Sequence, residues 1–488
     1  MPVTIEQAIF GAYLLVVLLV GVIAARYTRR TPGDFYLADR RVGTFILGLT
    51  FVATILSAFT VLGIGGNVTI SGPGTFSFLA IAAVFYTIVF ATVGVTLYQV
   101  GRDMDVVTPS EYIRKRYDST GLGVLYLAVT GIFMVSLITA QLNGGGVILD
   151  ALLDIPYELA IVLMAAFMLV YIHIAGYRGV IWSDTLQSIV LFGTLAGVVA
   201  YVMFWLDPNA LAVDAAEVTE GILSLRGPID IWTPLFVMTF ALAFVFGVPA
   251  YPHTIQRYFS ATDGHTVRKS GFVFALIAVP TYLFGAILGM WSPSVIPAPP
   301  DPDWVIPLIV ETLMHPVVFG IFMAAAIAAI MSTADSVALT MSSMISRDVY
   351  VPYAERGASP HRQVRVTQAF LIAIVLFALA LAWIRPAGIF HLVAFAVVGL
   401  GTTSAPVFFG AYWERATAAG SAVSLVVGPG LLILFELGML PDHPLGIHHG
   451  FTSLFFAYLA FALVSLVTST PSTRSIQELS RSFWPTDD

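Results

Sequence analysis

Cysteine is absent from the 488 residues, which excludes disulfides, iron–sulfur clusters and thiolate metal sites. Charge is scarce as well: Asp, Glu, Lys and Arg make up 10% of the chain, against about 25% in a soluble domain. No Lys/Arg run is long enough for a nucleic-acid patch. No HExxH or GxSxG motif occurs, so an intramembrane enzyme would have to use Asp184 and Asp335 as an aspartyl pair. The N-terminus lacks a basic n-region and its first apolar run lacks a small-residue cleavage site, so that run is expected to remain as a membrane span. No loop is long enough for a separate domain. The tail from Pro471 is too short for a kinase or other signalling module.

Apolar residues fill the chain instead, at 58%. A soluble core of this size would usually split into domains, whereas a bilayer lets many apolar helices pack side by side. One all-α polytopic membrane domain is therefore expected. A helix needs about 20 residues to cross about 30 Å of hydrocarbon. On that measure the apolar runs predict thirteen spans, at 5–26, 43–71, 76–100, 120–149, 157–176, 179–206, 232–256, 270–292, 317–345, 365–384, 389–413, 418–440 and 450–470. With the N-terminus outside and the C-terminus cytoplasmic, 20 of the 22 basic residues fall on the cytoplasmic side, leaving Arg226 and Arg385 outside. A wrong helix count would invert every later loop, so the sorting supports both spans and orientation. The run 304–315 reads equally as an amphipathic interfacial helix or as a plain connector.

Gly and Pro clusters are avoided inside spans unless broken backbone lines a cavity, because freed amides and carbonyls are costly in hydrocarbon. Two spans depart from this. The second holds Ala53, Thr54, Ile55, Leu56, Ser57 and Ala58 before a Gly63-Ile64-Gly65-Gly66 run; the seventh holds Phe246-Gly247-Val248-Pro249-Ala250-Tyr251-Pro252. They stand five helices apart, so each opens one of two five-helix repeats of inverted topology, at 43–206 and 232–413. Span 5–26, spans 418–470 and the tail 471–488 are peripheral. Matched interrupted helices point to a transport site at the midplane.

The ninth span carries hydroxyls at 332, 336, 340 and 343, one helical face. Hydroxyls with freed carbonyls suit an alkali cation, and they also serve as interhelical hydrogen bonds. Asp184 and Asp335 are carboxylates inside spans, each costing about 2.5–3.5 kcal/mol unless paired. No Lys or Arg is expected deep in a span to pair with them. His253, near Arg257, is expected to make a structural hydrogen bond, with proton shuttling as the alternative; His173 reads as structural, and the remaining histidines show no metal spacing. Gln141 and Asn143, before Gly144-Gly145-Gly146, either contact solute or let helices approach closely.

The chain resembles the sodium:solute symporter family. The matching elements are Asp34-Phe35-Tyr36-Leu37-Ala38; Thr108-Pro109-Ser110-Glu111-Tyr112 with Arg116-Tyr117; the stretch 179–187 around Trp182 and Asp184; Pro252-His253 with Gln256-Arg257; and Met331-Ser332-Thr333. The resemblance implies a leucine-transporter-type core of five plus five helices working by alternating access. It implies a sodium site from Ala53 and Leu56 with Ala329, Ser332 and Thr333. It further implies a second cation or proton site at Asp184 and Ser336, where Asp335 replaces an expected hydroxyl and leaves stoichiometry open. The implied solute pocket comprises Ser57, Thr60, Gln141, Asn143, Phe246, Tyr251 and Thr402. The function expected is sodium-coupled import of a small polar organic solute, such as an amino acid or monocarboxylate, across the cell membrane. A proton-coupled symporter, or a sensor or channel on the same fold, is the alternative. The implied partners are solute, sodium and the bilayer, with no cofactor, no other metal and no nucleic acid.

Overall fold

The computed structural model describes residues 3–27, 37–297, 299 and 301–469. The Asp34-Phe35-Tyr36 part of the first motif and the tail 471–488 lie outside the described residues. The described chain is helical, with one isolated bridge between Val42 and Ala261. We label the main helices α1 (Ile5–Tyr27), α2 (Thr44–Ile55), α3 (Phe59–Ser71), α4 (Gly74–Asp103), α5 (Thr120–Leu153), α6 (Tyr157–Trp205) and α7 (Pro234–Ala250). They continue with α8 (Pro252–Ser260), α9 (Gly264–Val295), α10 (Pro316–Tyr353), α11 (Pro360–Ile384), α12 (Ile389–Tyr412), α13 (Ala418–Glu436) and α14 (His449–Val467). Among the described residues ten helices are long and apolar enough to cross a membrane, and twelve spans result if each bent pair counts as one.

The bent pairs are α2–α3, at 60°, and α7–α8, at 51°. These are the two segments whose Gly and Pro content predicted a break. In α7–α8 the cause is local: a residue before proline is driven out of the helical region. Tyr251 is accordingly extended (φ −53°, ψ 129°), and Pro252 opens α8 at its first position. Gly247 is required by packing, since a Cβ there would lie 2.3 Å from the Val397 carbonyl oxygen.

The helical segment Tyr157–Trp205 is not a straight rod. In a straight helix twelve residues rise about 18 Å, yet the Tyr171 hydroxyl bonds the Ser183 hydroxyl and, at 3.3 Å, the Gly179 carbonyl. The chain therefore doubles back between Tyr171 and Gly179, giving two arms where the hydropathy predicted two spans.

Burial sorts the helices by role. The most hydrophobic stretches of α10 and α12 are each 83% buried, against 22% for α1. The hydroxyl-bearing helix is thus central, and α1 is peripheral. The run 304–315 is neither interfacial helix nor plain connector: the helix Val305–Leu313 buries Val305, Ile306, Ile309 and Val310. Its Ile306 side chain would come within 2.2 Å of a Cβ at Gly65 in α3. The apolar face of this segment finds protein rather than lipid.

The Thr108–Tyr112 motif forms a latch. Thr108 caps the helix Pro109–Arg116 by accepting the Glu111 amide at 3.2 Å, and it donates to Asp348 of α10 at 2.6 Å; Ser110 donates to the same carboxylate. Buried Arg116 donates to the Gly410 and Trp413 carbonyls at 2.6 and 3.0 Å, capping the end of α12.

Candidate functional site

In an unbroken helix the amides of residues 57 to 60 would donate to the carbonyls of 53 to 56. Here each goes elsewhere. Ser57 donates to Thr60 Oγ1 (3.4 Å), Ala58 to Gln141 Oε1 (3.0 Å), Phe59 to Ser57 Oγ (3.2 Å) and Thr60 to the Ser57 carbonyl (2.9 Å). Four carbonyls, from Ala53 to Leu56, are thereby released from the ladder. α10 answers two of them with hydroxyls: Ser332 donates to Ala53 at 2.7 Å, and Thr333 donates to Thr54 at 3.0 Å and to Ala53 at 3.4 Å. The same two hydroxyls lie 3.0 and 3.3 Å from the Ala329 carbonyl.

The structure thus brings Ala53, Ala329, Ser332 and Thr333 together, with Leu56 at the break (φ −79°, ψ 108°). This donor set consists of neutral oxygens, the ligands suited to a weakly held alkali cation. The two hydroxyls can rotate from donating to the carbonyls to presenting lone pairs.

Asp184 and Asp335 are both fully buried, and the expectation that no basic residue reaches them is overturned. Arg257 enters the core because the break at Tyr251 redirects α8, placing a residue expected at the span's end against α2, α6 and α10. Its Nη2 donates to Asp184 Oδ2 at 2.8 Å and Ser336 Oγ at 2.7 Å, its Nε to Thr50 Oγ1 at 3.1 Å, and its Nη1 to the His253 carbonyl at 3.1 Å. Thr50 adds a 2.5 Å bond to Asp184 Oδ2. Asp335 takes a 3.4 Å bond from Ser336 at Oδ1, while its Oδ2 and Asp184 Oδ1 have no hydrogen-bond partner among the described residues. Gln187, one turn beyond Asp184, and Tyr13 of α1 also keep buried side-chain polar atoms without such a partner. Neither ring nitrogen of buried His253 has one, so the expected structural hydrogen bond is not formed.

The hydroxyl face of α10 does point at the broken helices, Thr340 donating to Gln256 Oε1 at 2.6 Å. Ser343 bonds back to its own helix at Leu339. Of the expected pocket residues, Ser57, Thr60 and Gln141 gather at the α2–α3 break, and Tyr251 sits at the α7–α8 break. Asn143 instead accepts the Tyr157 hydroxyl at 2.9 Å. Phe246 faces Tyr458, with ring centroids 5.4 Å apart, and Thr402 packs against Gly428 of α13. The three glycines after Asn143 serve close packing: a Cβ at Gly144 would lie 2.7 Å from that of Ala58, and one at Gly145 2.5 Å from Met164.

Arg257, Thr50 and Gln187 are the residues that sequence reasoning missed. Arg257 is legible as part of the Pro252–Arg257 motif, but it stands just past the expected end of the seventh span at 256 and so counts among the basic residues on the cytoplasmic side.

Two broken helices crossing a central hydroxyl-bearing helix define a polytopic membrane transporter rather than an enzyme. The sequence profile of the sodium:solute symporter family matches residues 35–428, and the chain belongs to that family. It is 30% identical to the sodium/pantothenate symporter of Escherichia coli (strain K12) over 92% of this chain and 94% of that protein. It is 25% identical to the sodium/proline symporter of Haemophilus influenzae, over 95% and 94% respectively. A solved structure of a Na+-coupled sialic acid symporter, in a substrate-bound outward-open state, superposes with a TM-score of 0.77 at 19% identity, covering 96% of this chain and 99% of that one.

Proposed function

We propose that this chain imports a small polar organic solute bearing a carboxylate, driven by sodium, through alternating access. The observation that carries this reading is the convergence of the Ala53 and Ala329 carbonyls with the Ser332 and Thr333 hydroxyls at the break of α2–α3. Leu56 completes the set as a released carbonyl. The relatives named for pantothenate and proline symport favour a carboxylate-bearing solute. Ser57, Thr60, Gln141 and Tyr251 form the core of its pocket, and the positive ends of α3 and α8 supply attraction for the anion.

Counting each arm of α6 as a span gives thirteen, the odd number that separates the termini. The sorting of the basic residues, with Arg257 removed from it to the core, favours an N-terminus outside and a C-terminus in the cytoplasm of a cell-membrane protein. Residues 43–206 and 232–413 are then inverted repeats, each opening with a broken helix. A second cation or a proton resides at Asp335 with Ser336, since Asp184 is already neutralised by Arg257.

Reconstituted protein in proteoliposomes tests the proposal. With pantothenate, proline, a monocarboxylate and a sugar as a panel, one solute should accumulate saturably only under an inward sodium gradient. Accumulation driven equally by a proton gradient in sodium-free buffer would favour the proton-coupled alternative. Flux at channel rates without any gradient would reject a carrier.

A further inference from the structure

Beside the start of α7 rather than at either helix break, the loop between α13 and α14 gathers groups that the proposed sodium and solute sites leave unused. An oxygen of Asp442 and a ring nitrogen each of His443 and His449 all lie within 4.8 Å of one another. His449 Nδ1 is 3.3 Å from His443 Nδ1 and 3.5 Å from Asp442 Oδ1. A tetrahedral ion with metal–nitrogen bonds of about 2.0–2.1 Å has ligand-to-ligand edges of about 3.3–3.4 Å. The two edges that meet at His449 Nδ1 match that spacing. The sequence shows no metal spacing because the loop turns back on itself: His443 has a φ of 46°, in the left-handed region where His is among the better-tolerated residues.

A second feature points the same way. His449 Nε2 lies 3.2 Å from Glu436 Oε1, and Glu436 Oε2 lies 3.0 Å from His391 Nε2 at the start of α12. A carboxylate behind a ligating histidine takes the proton-bearing nitrogen and leaves the other ring nitrogen's lone pair aimed at the metal. His448 is not part of the set, because its Nδ1 accepts the Gly450 amide at 3.0 Å and its ring stacks on Phe240 with centroids 3.9 Å apart.

We propose that Asp442, His443 and His449 form a binding site for a divalent transition-metal ion of the zinc type, which staples the α13–α14 loop over the neighbouring cavity. Two imidazoles and one carboxylate are a borderline ligand set that suits zinc and its neighbours, whereas magnesium and calcium take oxygen ligands. The Asp442 side chain is 76% exposed, so the ion arrives from solvent and keeps a water as its fourth ligand. The cavity, of about 600 Å³, lies between α3, α7, α12 and this loop. His443 packs against Phe236 of α7 with centroids 4.8 Å apart, and Glu436 joins His449 to α12. A bound ion therefore ties the α13–α14 hairpin to two helices that wall the cavity. Metal binding at this loop requires neither sodium coupling nor a particular solute.

The test is zinc titration by calorimetry of the full chain in detergent, carrying no polyhistidine tag. Wild type should bind one Zn2+ per chain and no Mg2+, with an X-ray absorption spectrum of two imidazoles and two oxygens. His443→Ala and His449→Ala should each weaken binding at least tenfold, Asp442→Asn several-fold, and His315→Asn, outside the cluster, not at all. Zinc should also slow amide hydrogen exchange across 437–448 in wild type. Unchanged melting temperature and elution of the zinc-free variants establish that they fold. No stoichiometric zinc binding, or binding that persists in the His443→Ala/His449→Ala double variant, would overturn the site; binding with unchanged exchange would overturn the staple.

Discussion

Replacing Arg257 by Met perturbs the core most directly. The guanidinium holds Asp184, Ser336, Thr50 and the His253 carbonyl at 2.7–3.1 Å, and no other residue type offers that fork of donors. Hydrogen bonds to a charged group contribute about 1.5–3 kcal/mol each, but these gains are offset by the cost of burying both ions. The larger effect is what remains: a fully buried carboxylate left with the Thr50 hydroxyl, at 2.5 Å, as its nearest donor. Breaking a buried pair from one side costs about 3–5 kcal/mol, while replacing both partners with apolar groups of similar volume is often close to neutral. Arg257→Met should therefore lose about 3–5 kcal/mol and Arg257→Met/Asp184→Leu should recover most of it. The double-mutant cycle is read from detergent-unfolding midpoints in mixed micelles at constant sodium. If the single losses add in the double variant to within about 1 kcal/mol, Arg257 is not the group that neutralises Asp184. Should the guanidinium hold the place of a second cation, added sodium will stabilise Arg257→Met more than wild type.

Ser332→Ala and Thr333→Ala should each raise the sodium concentration for half-maximal uptake about tenfold or more, the equivalent of about 1.4 kcal/mol, with little change in solute affinity at saturating sodium. Asp335→Asn should lower the Hill coefficient for sodium or abolish a proton dependence; wild-type values for both would remove Asp335 from coupling. Gln141→Leu strands the Ala58 amide at the break and should cost about 1–3 kcal/mol, seen as a lower melting temperature with the α2–α3 region losing exchange protection first. Asp303, in the loop before Val305–Leu313, accepts the Ile389 amide at 3.1 Å and so caps α12. Burial pushes its carboxyl from the ordinary 3.8 up to about 6, against the lowering effect of that amide. A raised carboxyl means the folded state holds its proton longer than the unfolded one, so stability falls as pH rises from about 4 to about 6, by up to about 3 kcal/mol. Asp303→Asn keeps an acceptor for the cap and should remove that part of the pH dependence, measured as the difference in melting temperature between variant and wild type across the window.

Much of this is legible in the sequence. Both helix breaks were predicted because they are local chemistry: glycine and proline act on their own backbone, whatever surrounds them. The hydroxyl face of α10 was equally visible, since helical spacing alone sets 332, 336 and 340 together. The pocket was less so. Asn143, Phe246 and Thr402 sit on the expected helices but turn toward Tyr157, Tyr458 and Gly428, because a helix has several buried faces in a bundle and sequence does not rank them.

Composition alone determined that this chain lives in a bilayer, and the order of its motifs determined the symporter family, because both are properties read along a line. What only the tertiary structure decided were meetings between residues far apart in that line. Arg257 and Asp184 stand 73 residues apart, and their pairing follows from the direction in which α8 leaves its break. That angle is set by packing against α2, α4 and α10, helices on which the proline itself carries no information.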